Sequence, residues 1–242
     1  IALDTTGDSL HKRGYRKLES KAPIAENLAA ALIMLTPWHG YRILVDPFCG
    51  SGTFVIEAAM MAAEIAPGLN REFASCDWTH LIPSGIWKEC YDEAREIAEA
   101  AAPEEGLIIG SDIDGKILSV AKENAKRAGV EHLIRFKKKP VAKMHRDETY
   151  GFIVTNPPYG ERLMHTAEGE TDAKEALASV YRDFGKALEE MPTWSAYMIT
   201  SYEQTERMIG KRAQKKRKIY NGMLRTSFYQ FPGPKPTKNK RG

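Results

Sequence analysis

The sequence predicts an α/β fold: a mostly parallel seven-stranded sheet with helices on both faces, closed at its C-terminal end by an antiparallel hairpin. Two observations set the class. Short apolar runs (43–45, 107–109, 152–154, 195–199) alternate with amphipathic stretches of helical period, the pattern of buried parallel strands joined by crossover helices. Two of the runs end in ligand-type loops, Asp46-Pro47-Phe48-Cys49-Gly50-Ser51-Gly52-Thr53 and Asn156-Pro157-Pro158-Tyr159-Gly160. A third observation, the Asn221-Gly222 dipeptide between two β-rich runs, predicts the closing hairpin.

A chain of 242 residues can bury one sizeable core. It has no apolar run of about 18 residues or more and reads as soluble and cytoplasmic. Cys49, Cys76 and Cys90 are odd in number and lack C-x-x-C spacing, and the six histidines form no H-x-x-x-H pair. A disulfide scaffold and a metal site are therefore not expected. The net charge of +3 conceals an asymmetry. Twelve of the 35 Lys and Arg lie between Arg207 and Gly242, a span without Asp or Glu, so all 32 acidic residues precede it. A basic end of this kind suits a polyanion. The chain starts at Ile1 without Met, and is expected to be a piece of a longer protein.

Taken in order, the basic, aromatic-containing segment His11-Lys12-Arg13-Gly14-Tyr15-Arg16-Lys17 is expected to touch phosphates. Pro23 then opens a helix with an apolar face of Ile24, Leu28, Ala31, Leu32 and Leu35, stopped by Pro37. The first strand delivers the Gly-Ser-Gly turn to a helix N-terminus, the ligand-facing crossover of a doubly wound sheet. This is neither a complete G-x-G-x-x-G nor a G-x-x-x-x-G-K-[ST] loop, which disfavours a dinucleotide or a nucleoside triphosphate. Asp46 would repel a pyrophosphate and suits an ammonium, so the ligand implied carries an amino-acid head. Residues 67–103 read as an insertion, with Trp78 and Trp87 as satellite-core residues. The strand Leu107–Asp112 ends in carboxylates: Asp112 placed for ribose hydroxyls, Asp114 for capping the next helix.

A third strand (132–139) leads into Lys139-Pro140-Val141 beside the ligand, and the fourth (152–155) into Asn156-Pro157-Pro158-Tyr159. Two prolines make this loop a rigid row of acceptors. If the Asn156 side-chain oxygen and the Pro157 carbonyl each accept one N–H of an exocyclic amine, the nitrogen lone pair is aimed at an electrophile while Tyr159 lies on the base. Glu161-Arg162-Leu163 follows, then a Glu- and Gly-rich flap (167–171), a helix (173–190), the strand 195–200, a short helix (203–209) and two closing strands (217–220 and 223–231). The tail from Gly233 reads as disordered.

These motifs resemble the class I S-adenosylmethionine-dependent methyltransferases. Leu10 to Arg16, Ala22-Pro23-Ile24, Asn156 to Leu163 and Tyr220-Asn221-Gly222 narrow the resemblance to the THUMP-containing ribosomal RNA guanine-N2 methyltransferases of bacteria, including the Firmicutes homologues. The resemblance implies S-adenosylmethionine as cofactor, held by Asp46, Phe48, Gly50, Gly52, Thr53, Asp112, Ile113 and Asn156. It implies Asn156, Pro157 and Tyr159 as catalytic residues and ribosomal RNA as partner. Arg13, Arg16, Lys215, Lys216, Arg217, Lys218 and Arg225 would then meet phosphates, with Phe228 or Tyr229 covering the second face of the base. It also implies an RNA-binding THUMP domain ahead of this one. Many relatives carry an Asp near the third strand for the adenine amine where this chain has Pro140, which leaves the adenine site open, backbone groups being one alternative. Four other readings compete: adenine-N6 methylation of DNA or RNA, tRNA guanine-N2 methylation, carbon-5 methylation through a Cys49 nucleophile, and a non-catalytic RNA-binding module.

Overall fold

The structure, a computed structural model, describes residues 2–16, 24–159 and 170–236. The expected helix opening at Pro23, the Glu161-Arg162-Leu163 continuation, the start of the flap (167–169) and the tail beyond Pro236 lie outside the described residues.

The expected sheet is present. Strands β1 (Leu44–Asp46), β2 (Ile108–Asp112), β3 (Ile134–Lys138), β4 (Phe152–Thr155), β5 (Ser195–Thr200), β6 (Lys215–Asn221) and β7 (Leu224–Phe231) lie in the order β3-β2-β1-β4-β5-β7-β6. The first five are parallel, and β7 runs antiparallel to both of its neighbours. Successive residues of a strand point to opposite faces, and both faces are covered. Leu44, Ile108, Phe152, Val154, Ile199 and Phe228 pack under the helices α1 (Glu26–Met34), α2 (Thr53–Ala62) and α4 (Gly115–Arg127). Val45, Ile109, Ile153, Met198, Tyr229 and Phe231 pack under α5 (Glu170–Glu189) and α6 (Thr205–Ile209). The chain reverses its winding between β1 and β4, so the crevice beyond their C-terminal ends is where a doubly wound sheet holds its ligand.

Two local expectations shift. Helix α1 buries Ala29, Ala30, Leu32 and Ile33, while Ala31 and Leu35 are exposed. The inward face is thus turned about one residue from the expected one, with Glu26 buried on it. In the hairpin Asn221 pairs with Leu224, so the turn residues are Gly222 and Met223 rather than Asn221 and Gly222. Gly222 has φ +61, which suits a turn with glycine at its first central position.

The insertion holds helix α3 (Ser84–Ala100), preceded by a short 3-10 turn at Ala74–Asp77. Trp87 stacks on Phe73 at 5.3 Å and donates from Nε1 to the Ser75 carbonyl at 3.2 Å, the satellite core expected of it. The N-terminal segment docks here: the Ala74 and Ser75 amides donate to the Thr6 and Thr5 carbonyls at 3.4 and 3.2 Å.

Candidate active site

Three loop ends meet at the crevice. At the end of β1, Asp46 is 1% exposed, and its Oδ1 accepts from the Phe48 amide at 3.0 Å and from the Thr155 hydroxyl at 2.5 Å. Burial pushes its carboxyl up to about 7, against the pull of these two donors. Thr155 therefore ties the end of β4 to the end of β1, a link that only the strand order creates.

The glycine turn that follows has both glycines at positive φ. A Cβ on Gly50 would meet nothing within 4 Å, so this backbone faces open space that a ligand can approach. A Cβ on Gly52 would stand 3.2 Å from both Ala121 and Ile56, because the residue seats α2 against α4. Two hydrogen bonds fix the turn from outside. The Gly50 amide donates to Asp112 Oδ2 at 3.0 Å, and Asn124 Nδ2, fully buried in α4, donates to the Ser51 carbonyl at 3.2 Å. Asp112 also accepts the Asp114 amide on its other oxygen at 3.0 Å. Each carboxylate oxygen thus holds one amide and keeps a lone pair for a hydroxyl. Burial raises the Asp112 carboxyl as well. Ile113 beside it is 70% exposed, and Asp114 caps α4 by accepting the Lys116 amide at 2.8 Å.

Beyond β4, the side-chain oxygen of Asn156 is buried and has no hydrogen-bond partner among the described residues. Asn124 Oδ1 and Gln230 Nε2 are likewise buried without a partner among the described residues, but Asn124 is held in α4 through its amide nitrogen and Gln230 lies within β7, whereas Asn156 stands at the crevice. The buried nitrogens of Arg13, Arg16, Arg127 and Arg146 belong to guanidinium groups paired through another nitrogen. An unmade bond at a buried carbonyl costs about 1–3 kcal/mol. The Pro158 carbonyl is taken by Tyr181 Oη at 3.2 Å, which also bonds Thr200 Oγ1 at 2.6 Å. The proline row is therefore shorter than expected, with Pro158 committed to α5. Tyr159 is 5% exposed, and its hydroxyl lies 3.5 Å from Asn221 Nδ2, so its ring is closed in here rather than presented to a base.

Several expected RNA contacts are placed otherwise. Arg13 and Arg16 turn inward: Arg13 lies 3.6 Å from Glu57, and Arg16 lies 3.5 Å from Glu26 and donates to Thr53 Oγ1 at 2.6 Å. Tyr15 donates to Glu57 at 3.0 Å. Burial pushes the Glu57 carboxyl up to about 7, with Arg13 pulling it down. These guanidinium groups pin the N-terminal segment to α1 and α2 instead of meeting phosphates. Phe228, 0% exposed, and Tyr229, 6% exposed, are core residues and cannot cover a base, because β7 lies inside the sheet with both faces packed. Lys216 pairs with Glu206 and sits over the Tyr229 ring at 5.2 Å. Lys215, Arg217, Lys218 and Arg225 are exposed. Cys49 is buried with its thiol pushed well up by that burial, which removes it as a carbon-5 nucleophile.

Sequence reasoning missed Asn124, Thr155 and Tyr181. Each had a faint signal, a polar atom set on an otherwise apolar face, but nothing in the sequence named its partner.

A seven-stranded sheet of this order, with a carboxylate-flanked glycine turn and an Asn-Pro-Pro-Tyr loop at its switch point, has the class I methyltransferase fold. The chain belongs to the RMKL-like methyltransferase domain family, whose profile matches residues 13–230. It is 47% identical to a Bacillus subtilis (strain 168) protein, YpsC, named as a candidate RNA methyltransferase, over 99% of this chain and 60% of that protein. It is 40% identical to the Legionella pneumophila (strain Corby) ribosomal RNA large subunit methyltransferase K/L, over 95% of this chain and 32% of that protein. Among solved structures, SMU.472, described as a candidate methyltransferase and complexed with SAH, matches with a TM-score of 0.85 at 38% identity, over 97% of this chain and 58% of that one. A Listeria monocytogenes protein, described on prediction as an N6-adenine-specific DNA methylase, matches with a TM-score of 0.84 at 45% identity, over 96% and 57%. The chain thus spans less than two thirds of each of these proteins.

Proposed function

We propose that this domain transfers the methyl group of S-adenosylmethionine to the exocyclic N2 amine of a guanine in 23S ribosomal RNA. The observation that carries the reading is the buried Asn156 Oδ1 at the end of β4, an acceptor for which the described residues supply no donor. The cofactor fits the residues around it. Asp46 offers a carboxylate to an ammonium, Gly50 an open backbone, and Asp112 a fixed carboxylate for two ribose hydroxyls, with Phe48, Thr53 and Ile113 around them. The cofactor supplies the methyl as an electrophile on a sulfonium.

The chain's own part is positioning. Asn156 Oδ1 and the Pro157 carbonyl accept the two N–H groups of the amine and turn its lone pair out of the ring plane. An amine held this way would become acidic on methylation and its proton would pass to water, so no strong base would be required of the chain. A guanine in a helix has to leave its stack to reach this loop, and Tyr159 would lie on it once uncovered. The naming of the Legionella relative as a large-subunit ribosomal RNA enzyme supports the substrate.

The second reading, adenine-N6 methylation, is favoured by the description of the Listeria structure, since the same two acceptors suit either amine. Incubation with labelled S-adenosylmethionine and unmodified ribosomal RNA, followed by nucleoside mass spectrometry, separates the two: N2-methylguanosine supports the first, N6-methyladenosine the second. Asn156→Ala is expected to lower kcat by about 100-fold or more, as loss of one preorganised hydrogen bond does elsewhere. A folded Asn156→Ala protein with wild-type kcat refutes the role of Asn156.

A further inference from the structure

The hairpin between β6 and β7 ends in an unusual surface. Met223 is 100% exposed, Tyr220 67% and Leu224 45%, three large apolar side chains gathered at one tip. The turn at Gly222 has no other face to pack against, and a Cβ there would meet nothing within 4 Å. Two features say what this tip meets. Its root touches the amine-binding loop, with Asn221 Nδ2 3.5 Å from the Tyr159 hydroxyl. The strand leading to it is the outer edge of the sheet and carries exposed cations on both of its faces, Lys218 on the face of Tyr220 and its cross-strand partner Arg225, and Lys215 and Arg217 on the opposite face. A sheet edge flanked by cations on both faces and ending in an apolar point is complementary to a nucleic-acid duplex: phosphates for the cations, a base step for the point.

We propose that the β6–β7 hairpin tip is the wedge that opens the RNA, with Met223 entering the space between base pairs that the target base vacates and Tyr220 stacking on the exposed neighbour. This rests on the reading of the domain as an RNA methyltransferase. Apolar side chains inserted at a step unstack it, and a flipped base leaves a gap that such a side chain fills.

The test uses two stems that contain the methylated guanine, located first by nucleoside mapping: one with the guanine paired to cytosine, one with it opposite an abasic site. The measured quantity is the ratio of kcat/KM on the paired stem to that on the abasic stem. Met223→Ala is expected to lower this ratio about tenfold or more, and Met223→Leu, which keeps the apolar bulk, to restore it within about threefold. 2-Aminopurine at the target position should brighten on binding wild type and less on binding Met223→Ala. A Met223→Ala ratio equal to wild type overturns the wedge and leaves the activity standing. A wild-type dimer in sedimentation that Met223→Ala dissociates overturns it too, assigning the tip to a second copy of the chain. If wild type methylates neither stem nor unmodified ribosomal RNA, the activity itself fails and the wedge with it.

Discussion

Asp46 is the buried group whose removal should stabilise the protein and cripple it at once. Its carboxyl is raised from 3.8 to about 7 by burial, so the native state holds its proton more tightly than the unfolded chain does. The stability this contributes is complete below the unfolded value and is lost as pH rises through about 7. At about 1.4 kcal/mol per unit, Asp46 costs the fold about 3 kcal/mol between pH 5 and pH 8. Glu57, raised from 4.5 to about 7, acts in the same direction and adds about 2–3 kcal/mol by the same conversion. In Asp46→Asn both donors can still reach Oδ1, from the Phe48 amide and the Thr155 hydroxyl, and the buried charge is gone. Urea unfolding without ligand at pH 5, 6, 7 and 8 should show the variant about 2 kcal/mol or more above wild type at pH 8, with the pH slope roughly halved. S-adenosylmethionine affinity, by calorimetry at pH 8, should fall at least about tenfold, because the ligand ammonium has lost its counter-charge. A variant less stable than wild type at pH 8, or one that binds the cofactor as tightly, refutes the reasoning.

Three further outcomes follow from the same groups. Below about pH 7 cofactor binding has to expel the Asp46 proton, so the wild-type dissociation constant should rise up to about tenfold per pH unit on acidification, and isothermal titration from pH 5.5 to 8 checks this. Arg16→Met strands the buried Glu26 and removes the donor to Thr53, and should cost about 3–5 kcal/mol in denaturant unfolding. Alanine at Lys215, Arg217 and Lys218 together should flatten the salt dependence of RNA binding, by about 0.7–0.9 in log–log slope for each phosphate no longer neutralised. Lys216→Ala should leave that slope nearly unchanged, because Lys216 is committed to Glu206.

The strands and the two loops were legible because a strand buried on both faces must be a near-continuous apolar run, and because Gly and Pro punctuate it. What was not legible was the direction of individual side chains. Arg13 and Arg16 look like phosphate ligands in a basic segment, and only the fold brings Glu57 and Glu26 to them. Phe228 and Tyr229 alternate across a strand, and alternation normally leaves one of a pair outside. Here β7 has β5 and β6 beside it and helices above and below, so both side chains are core. The α1 phase shifted for a related reason: its inward face includes Glu26, which hydrophobic periodicity counts as a surface residue although Arg16 makes it a buried one.

Two pairs of buried polar groups in this domain differ in what satisfies them. Arg16 places a positive charge against Glu26, and Arg13 and Tyr15 offset part of the cost of burying Glu57, so the N-terminal segment is held against α1 and α2 by groups of the fold itself. Asp46 and Asn156 have no such completion. One is a carboxylate whose nearby groups include a second carboxylate, Asp112, and the other is a carbonyl with no donor among the described residues. Both lie at the β1–β4 switch point, and both lower stability in the empty protein. Their deficits are complementary to a single ligand pair: a cation for Asp46 and an N–H donor for Asn156. On the proposed reading, a methyl donor bearing an ammonium would relieve the first and an acceptor bearing an amine the second, so each reactant would add stability to the free protein through its own group.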